Sequence, residues 1–142
     1  MNRKLWVGLA MATLMAAPAI AQESDGLRFI GGDSPNAFLS PMVIAGNTVY
    51  LSGALGTDAG PEIEDQTQAV MESIRDSLAE IGATMDNVVT CTVFMADLSE
   101  RPRLNEVYRS FFPNTKPARS AVGVDLDGPK VEIECIAVLP DA

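Results

Sequence analysis

Apolar and polar positions recur along this chain at two periods, and together they predict one sheet and two helices. In the last stretch Val131, Ile133, Cys135, Ala137 and Leu139 share one face of a strand, while Glu132, Glu134, Ile136 and Val138 share the other. The first face suits packing under helices. The second is half charged and half apolar, neither plain core nor plain solvent surface, and such a face points to contact with another subunit. Val88 to Met95 and Ala118 to Val124 are further β-rich runs, and Asp127-Gly128-Pro129 supplies the turn before the last strand. Ser40 to Ala45 and Thr48 to Gly53 read as a hairpin around Gly46-Asn47, residues that accept the positive φ angles of a two-residue turn. Leu27 to Ile30 is a short strand, closed by Gly31-Gly32 and the turn-rich Asp33 to Asn36. Gln22 to Gly26 reads as a polar lead-in.

The period then changes. After a loop from Gly56 to Glu64, Val70, Met71, Ile74, Leu78 and Ile81 fall three or four apart, which is one face of a helix over 65–81. Asp65 is the expected N-cap and Gly82 the left-handed stop. A second helix is expected from a Ser99 cap, with Pro102 tolerated in its first turn, Leu104, Val107, Tyr108 and Phe111 on its apolar stripe, and Pro113 ending it. Two helices alternating with strands can cover one face of a sheet, so the pattern predicts an α+β fold.

At 142 residues the chain is long enough for one such domain and too short for two ordinary ones. The first 21 residues stand apart. Arg3 and Lys4 precede an apolar run from Leu5 to Ala17, Pro18 follows, and Ala19-Ile20-Ala21 puts small residues where a signal peptidase cuts. The run is shorter than the roughly 20 residues a membrane span needs. Residues 1–21 are therefore expected to be a secretory signal peptide, leaving residues 22–142 as an exported, periplasmic domain with no membrane attachment. Its removal takes away the only tryptophan, Trp6, and two of the ten bases, so the net charge of −9 becomes −11.

Composition excludes several chemistries. The chain has no histidine, so Ser-His-Asp and Cys-His catalysis and imidazole-ligated zinc are out. Cys91 and Cys135 form neither a CxxC pair nor a four-cysteine cage, and no metal is expected. The acidic balance argues against nucleic acid as a partner. What remains is Arg, Glu, Asp, Ser, Asn and backbone chemistry.

Six segments carry a resemblance: GNTVYLSG, the helix ending EIGA, VTCTVFMADL, LNEVYRSFFP, KPARSAV and VEIECIAV, in that order. With them the chain resembles the RidA/YjgF family of imine and enamine deaminases over residues 27–139. The resemblance implies a chorismate-mutase-like mixed β-sheet with two helices on one face, assembled as a homotrimer with small-molecule clefts between subunits. It also implies site residues. Arg119 matches the family's carboxylate-holding arginine, and a guanidinium fork fits a carboxylate bidentately. Glu132 matches the glutamate that positions or activates the attacking water, although by parity Glu134 faces the same way and spacing does not choose between them. Ser52 and Asn105 match two polar positions of the pocket. Leu39 falls where the family has a tyrosine, Ala54 where a glutamine is frequent, and Ala121 where a cysteine often follows PARS, so this pocket is the more apolar one.

The implied reaction is hydrolytic deamination of a small 2-imino acid, with Arg119 anchoring the carboxylate, Glu132 taking a proton from water, and no cofactor required. A non-catalytic binder of small carboxylates and a chaperone-like protein are the alternatives on the same fold. The implied topology also sets the strands of Cys91 and Cys135 side by side and antiparallel, with both residues under the helices. A bridge there requires a directly opposed pair. Two buried free thiols are the favoured reading, even with export to an oxidising compartment.

Overall fold

The structure is a computed structural model and describes residues 22–24 and 26–140; the expected signal peptide, residues 1–21, lies outside the described residues. Strand β1 (Gln22–Ser24) pairs antiparallel with β2 (Leu27–Ile30), so the stretch read as an irregular lead-in is the first strand of the sheet. Next come β3 (Met42–Ala45) and β4 (Thr48–Leu51), joined as expected through Gly46 at φ 61°. After β5 (Ala54–Leu55) the chain forms α1 (Ile63–Glu80), β6 (Val88–Met95), α2 (Arg101–Ser110), β7 (Ala118–Gly123) and β8 (Val131–Val138). All eight strands form one mixed sheet in the order β1-β2-β3-β4-β8-β6-β7, with β5 also on β8. Only β6 and β7 run parallel, because α2 crosses between them.

Strand parity locates the core. Val131, Ile133, Cys135 and Ala137 are all buried, as are Cys91, Val93 and Met95 opposite them and Ile63, Val70, Ile74 and Leu78 of α1 above them. Leu139 lies just past the strand end and is half-buried. Fully burying one such aliphatic side chain contributes about 1.5–3 kcal/mol, so this contiguous cluster is what holds sheet and helices together. On the other face of the sheet Tyr50 and Val122 are exposed, beside Glu134 and half-buried Phe94, Glu132, Ile136 and Val138. No described element covers that mixed face.

Both helix starts differ from expectation. Helix α1 begins two residues earlier, with Ile63 fully buried, and its N-cap is Glu62 rather than Asp65; Glu64 and Asp65 lie in the first turn, where the helix dipole favours acids. The apolar stripe therefore extends back through Thr67, whose hydroxyl donates to the Ile63 carbonyl. At α2 the Asp97 carboxylate, not Ser99, does the capping: it accepts from the Ser99 N–H at 2.8 Å and closes a short 3₁₀ turn before the helix proper. The buried aromatic at the far end is Phe112, on the 104-108-112 row, whereas Phe111 is half-buried. The α1 stop is as read: Gly82 adopts φ 76°, donates to Ala79, and leaves Ala83 to donate to Leu78, which closes a Schellman motif.

Cys91 and Cys135 are bridged, contrary to the reading of free thiols. The two residues stand directly opposite each other in the β6–β8 ladder, with their Cα atoms 4.1 Å apart. Such closeness belongs to the non-hydrogen-bonded pairs of an antiparallel ladder.

Candidate functional site

Helix α2 and the turn that ends it direct Asn105, Tyr108, Arg109 and Phe112 to one side, at the i, i+3, i+4, i+7 spacing of a helical face. The chain then turns back through Lys116 and Pro117 into β7, which brings Arg119 against the same face. Together these residues line a cavity of about 400 Å³. Arg119 pairs with Cys91 in the β6–β7 register and so lies on the helix-covered side of the sheet.

Its guanidinium is held by an aromatic rather than by an acid. Cζ of Arg119 stands 4.7 Å from the centre of the Tyr108 ring, a cation–π arrangement. Tyr108 in turn packs on Phe112 with ring centres 4.9 Å apart. Burial pushes the Tyr108 phenol up to about 12, with the Arg119 charge pulling the other way, so its hydroxyl stays a neutral donor. That hydroxyl and the Asn105 carbonyl oxygen Oδ1 are buried without a hydrogen-bond partner among the described residues. Two unsatisfied polar atoms of opposite preference beside a cation are what a polar ligand would satisfy.

The other expected residues lie elsewhere. Leu39 and Ser52 line a second, smaller cavity of about 200 Å³ beside Ile74 and Ser77 of α1. The Ser52 hydroxyl donates to the Ser40 carbonyl at 2.8 Å, which ties the 40–41 segment to the end of β4. Between β4 and β5 the three residues Leu51, Ser52 and Gly53 oppose only two of β8, a bulge that shifts the ladder by one. Gly53 leaves room there for a side chain from β8. A Cβ on it would overlap the Glu132 carboxylate, which folds across this glycine from the uncovered face of the sheet. Glu134 shares that face but is exposed, whereas Glu132 is half-buried. The structure thus brings Arg119 to Asn105 and Leu39 to Ser52, and puts Glu132 on the opposite side of the sheet from Arg119. From β4 to β7 is three strand spacings, roughly 14 Å.

Sequence reasoning passed over three residues of the larger cavity. Spacing puts Tyr108 on the apolar stripe alone and gives Arg109 and Lys116 no role. The available signal was the i, i+4 relation of Asn105 and Arg109, together with charge pairing. Of the eight bases after residue 21, Arg75, Arg103 and Lys130 hold carboxylates, Arg103 spanning Glu62, Glu64 and Glu100. Arg28, Arg101, Arg109, Lys116 and Arg119 have no acidic partner among the described residues, and the last three line this cavity.

Comparison with known proteins adds to this geometry. The profile of the family described as Endoribonuclease L-PSP matches residues 33–139. The chain is 39% identical over 109 residues to Reactive Intermediate Deaminase A, chloroplastic, of Arabidopsis thaliana, covering 70% of this chain and 58% of that protein. It is 38% identical over 110 residues to the 2-iminobutanoate/2-iminopropanoate deaminase of Dermatophagoides farinae, covering 70% and 84%. Among solved structures, a YjgF-family member from Neisseria meningitidis aligns with a TM-score of 0.73 at 28% identity, over 82% of this chain and 97% of that one. RidA from an Antarctic Psychrobacter aligns at 0.69 and 31% identity, over 85% and 100%.

Proposed function

The chain belongs to the Endoribonuclease L-PSP family, the RidA/YjgF proteins, and from that footing we propose that it hydrolyses small 2-imino acids to 2-oxo acids and ammonia. The observation that carries this reading is Arg119: a guanidinium with no acidic partner among the described residues, braced on Tyr108 in the cavity that the unsatisfied Asn105 also lines. Such a group binds a carboxylate through two parallel charge-assisted hydrogen bonds. The names of the Arabidopsis and Dermatophagoides proteins fit the same chemistry. RNA cleavage, which the family description mentions, fits less well, since a chain of net charge −9 disfavours phosphate backbones and one without histidine lacks imidazole acid–base groups.

In this reading the carboxylate of the imino acid sits on Arg119, which fixes the imine carbon. Glu132 accepts a proton from the attacking water, and ammonia leaves from the tetrahedral adduct. Because Arg119 and Glu132 stand on opposite faces of one sheet, a single copy does not assemble this site. The mixed face that carries Glu132 is the surface by which a second copy meets the Arg119 cavity, in a homotrimer. Positioning supplies most of the acceleration, because imines react with water unaided. We also propose export through residues 1–21 to the periplasm. The Cys91–Cys135 bridge supports that location, since such bonds persist in oxidising compartments.

The direct test generates 2-iminopropanoate with an amino-acid oxidase and follows its loss with the purified protein present. Faster loss than in buffer is the expected result, and a rate equal to buffer overturns the reading; ligand binding without turnover would leave a carboxylate-binding protein. Gly53→Ala tests the part given to Glu132. The added methyl displaces that carboxylate, and since the obstructing atoms end a flexible side chain, stability changes by no more than about 1 kcal/mol. Hydrolysis is expected to fall about tenfold or more, towards the loss caused by Glu132→Gln. An unchanged rate in Gly53→Ala would remove Glu132 from the mechanism.

A further inference from the structure

The Arg119 cavity holds more positive charge than one carboxylate needs. Arg109, Lys116 and Arg119 all line it, no Asp or Glu does, and this occurs in a chain whose net charge is −9. Lys116 is fixed in place: its ammonium donates to the Phe112 carbonyl at 2.8 Å and the Thr115 carbonyl at 3.2 Å, at the end of α2. An ammonium has three donors, so one is left for the cavity. Arg109 lies one turn of α2 beyond Asn105, and Lys116 anchors at Phe112, three residues further on, so the two cations stand roughly 5 Å apart along the helix direction. A three-carbon imino acid on Arg119 would fill only part of a cavity of about 400 Å³.

We propose that the cavity selects substrates with a second negative charge: Arg119 holds the carboxylate next to the imine carbon, while Arg109 and Lys116 receive a carboxylate on the substrate's side chain. Resting on the deaminase reading, this makes the substrate class the imines of acidic amino acids. Water adds to the C=N carbon, the C–N bond breaks and ammonia leaves, giving a 2-oxodicarboxylate; the side-chain carboxylate takes no part in bond changes. Its attraction is electrostatic and partly solvent-exposed, so it weakens with salt.

The products provide a readout independent of turnover. Calorimetric titration of the full chain with 2-oxoglutarate and with 2-oxobutanoate is expected to show the dicarboxylate binding tighter by about tenfold or more at low salt. That preference should shrink as salt rises and collapse to near unity in the Arg109→Gln, Lys116→Gln double variant. Equal binding of the two acids overturns the proposal. So does a preference that survives the double variant, or a double variant whose only change is weaker self-association, which would assign these cations to acids of a second copy. Hydrolysis of 2-iminopropanoate with no dicarboxylate preference sinks this proposal and leaves the deaminase reading standing. Tenfold selective binding without hydrolysis of any imine sinks the deaminase reading and leaves the dianion site.

Discussion

Arg119→Ala is expected to lower kcat/KM for imine hydrolysis by about two to four orders of magnitude, while the protein remains folded. The size follows from the contact proposed. Hydrogen bonds to charged groups contribute about 1.5–3 kcal/mol each, and a bidentate carboxylate pair makes two of them. On the rate scale, 1.36 kcal/mol is about tenfold. What the folded state loses is smaller, because the Arg119 guanidinium has no acidic partner among the described residues and only its stacking on Tyr108 goes, worth about 0.5–1 kcal/mol at a site of this kind. Arg119→Lys should recover only part of the activity, since an ammonium offers neither the planar fork nor the flat stacking surface. Retention of more than a tenth of the wild-type rate in Arg119→Ala, with an unchanged melting curve, would show that another group anchors the carboxylate.

The second large effect concerns the bridge between Cys91 and Cys135. Closing a loop over a sequence separation of 44 restricts the unfolded chain enough to stabilise the native state by about 4 kcal/mol. Cys91→Ala with Cys135→Ala should therefore melt roughly 10–20 °C lower than wild type at equal protein concentration. Alkylation of unfolded, unreduced protein should add no mass, and after reduction two labels. Two labels without reductant, or a double variant melting within about 2 °C of wild type, would contradict the bond.

The bridge also marks where sequence reading stops. Alternation placed Val131, Ile133, Cys135 and Ala137 under the helices, and all four are buried. It also identified the mixed face beyond them. Gly82 and Gly46-Asn47 were readable because their conformations are local. Register is not local. In the β6–β8 ladder Val88 pairs with Ala137 but Thr90 with Ile136, so Val89 is the extra residue of a bulge. Without that one-residue shift Cys91 would stand opposite Glu134, and nothing in the spacing of the two cysteines announces the bulge.

The same limit governs the site. The RSAV and LNEVY segments made Arg119 and Asn105 recognisable, and the fold brings both to one cavity. That Glu132 lies across the sheet depends on how three strands align, which no single segment encodes. Arg109 and Lys116 went unassigned because lone bases on an amphipathic helix and in a loop read as solvated charge. Only when the carboxylate partners of Arg75, Arg103 and Lys130 are located does the lack of any among the described residues become visible at Arg109 and Lys116.

The bond between Cys91 and Cys135 makes residues 91–135 a covalent ring, and every residue lining the Arg119 cavity, from Asn105 to Arg119, lies inside it. The exposed turn at 125–128 belongs to the same ring. One protease cut there severs the backbone without releasing a fragment: the protein runs as a single species until reductant is added, and as two afterwards. In the compartment proposed above, the third of the molecule that carries the cavity thereby outlasts its own first nick.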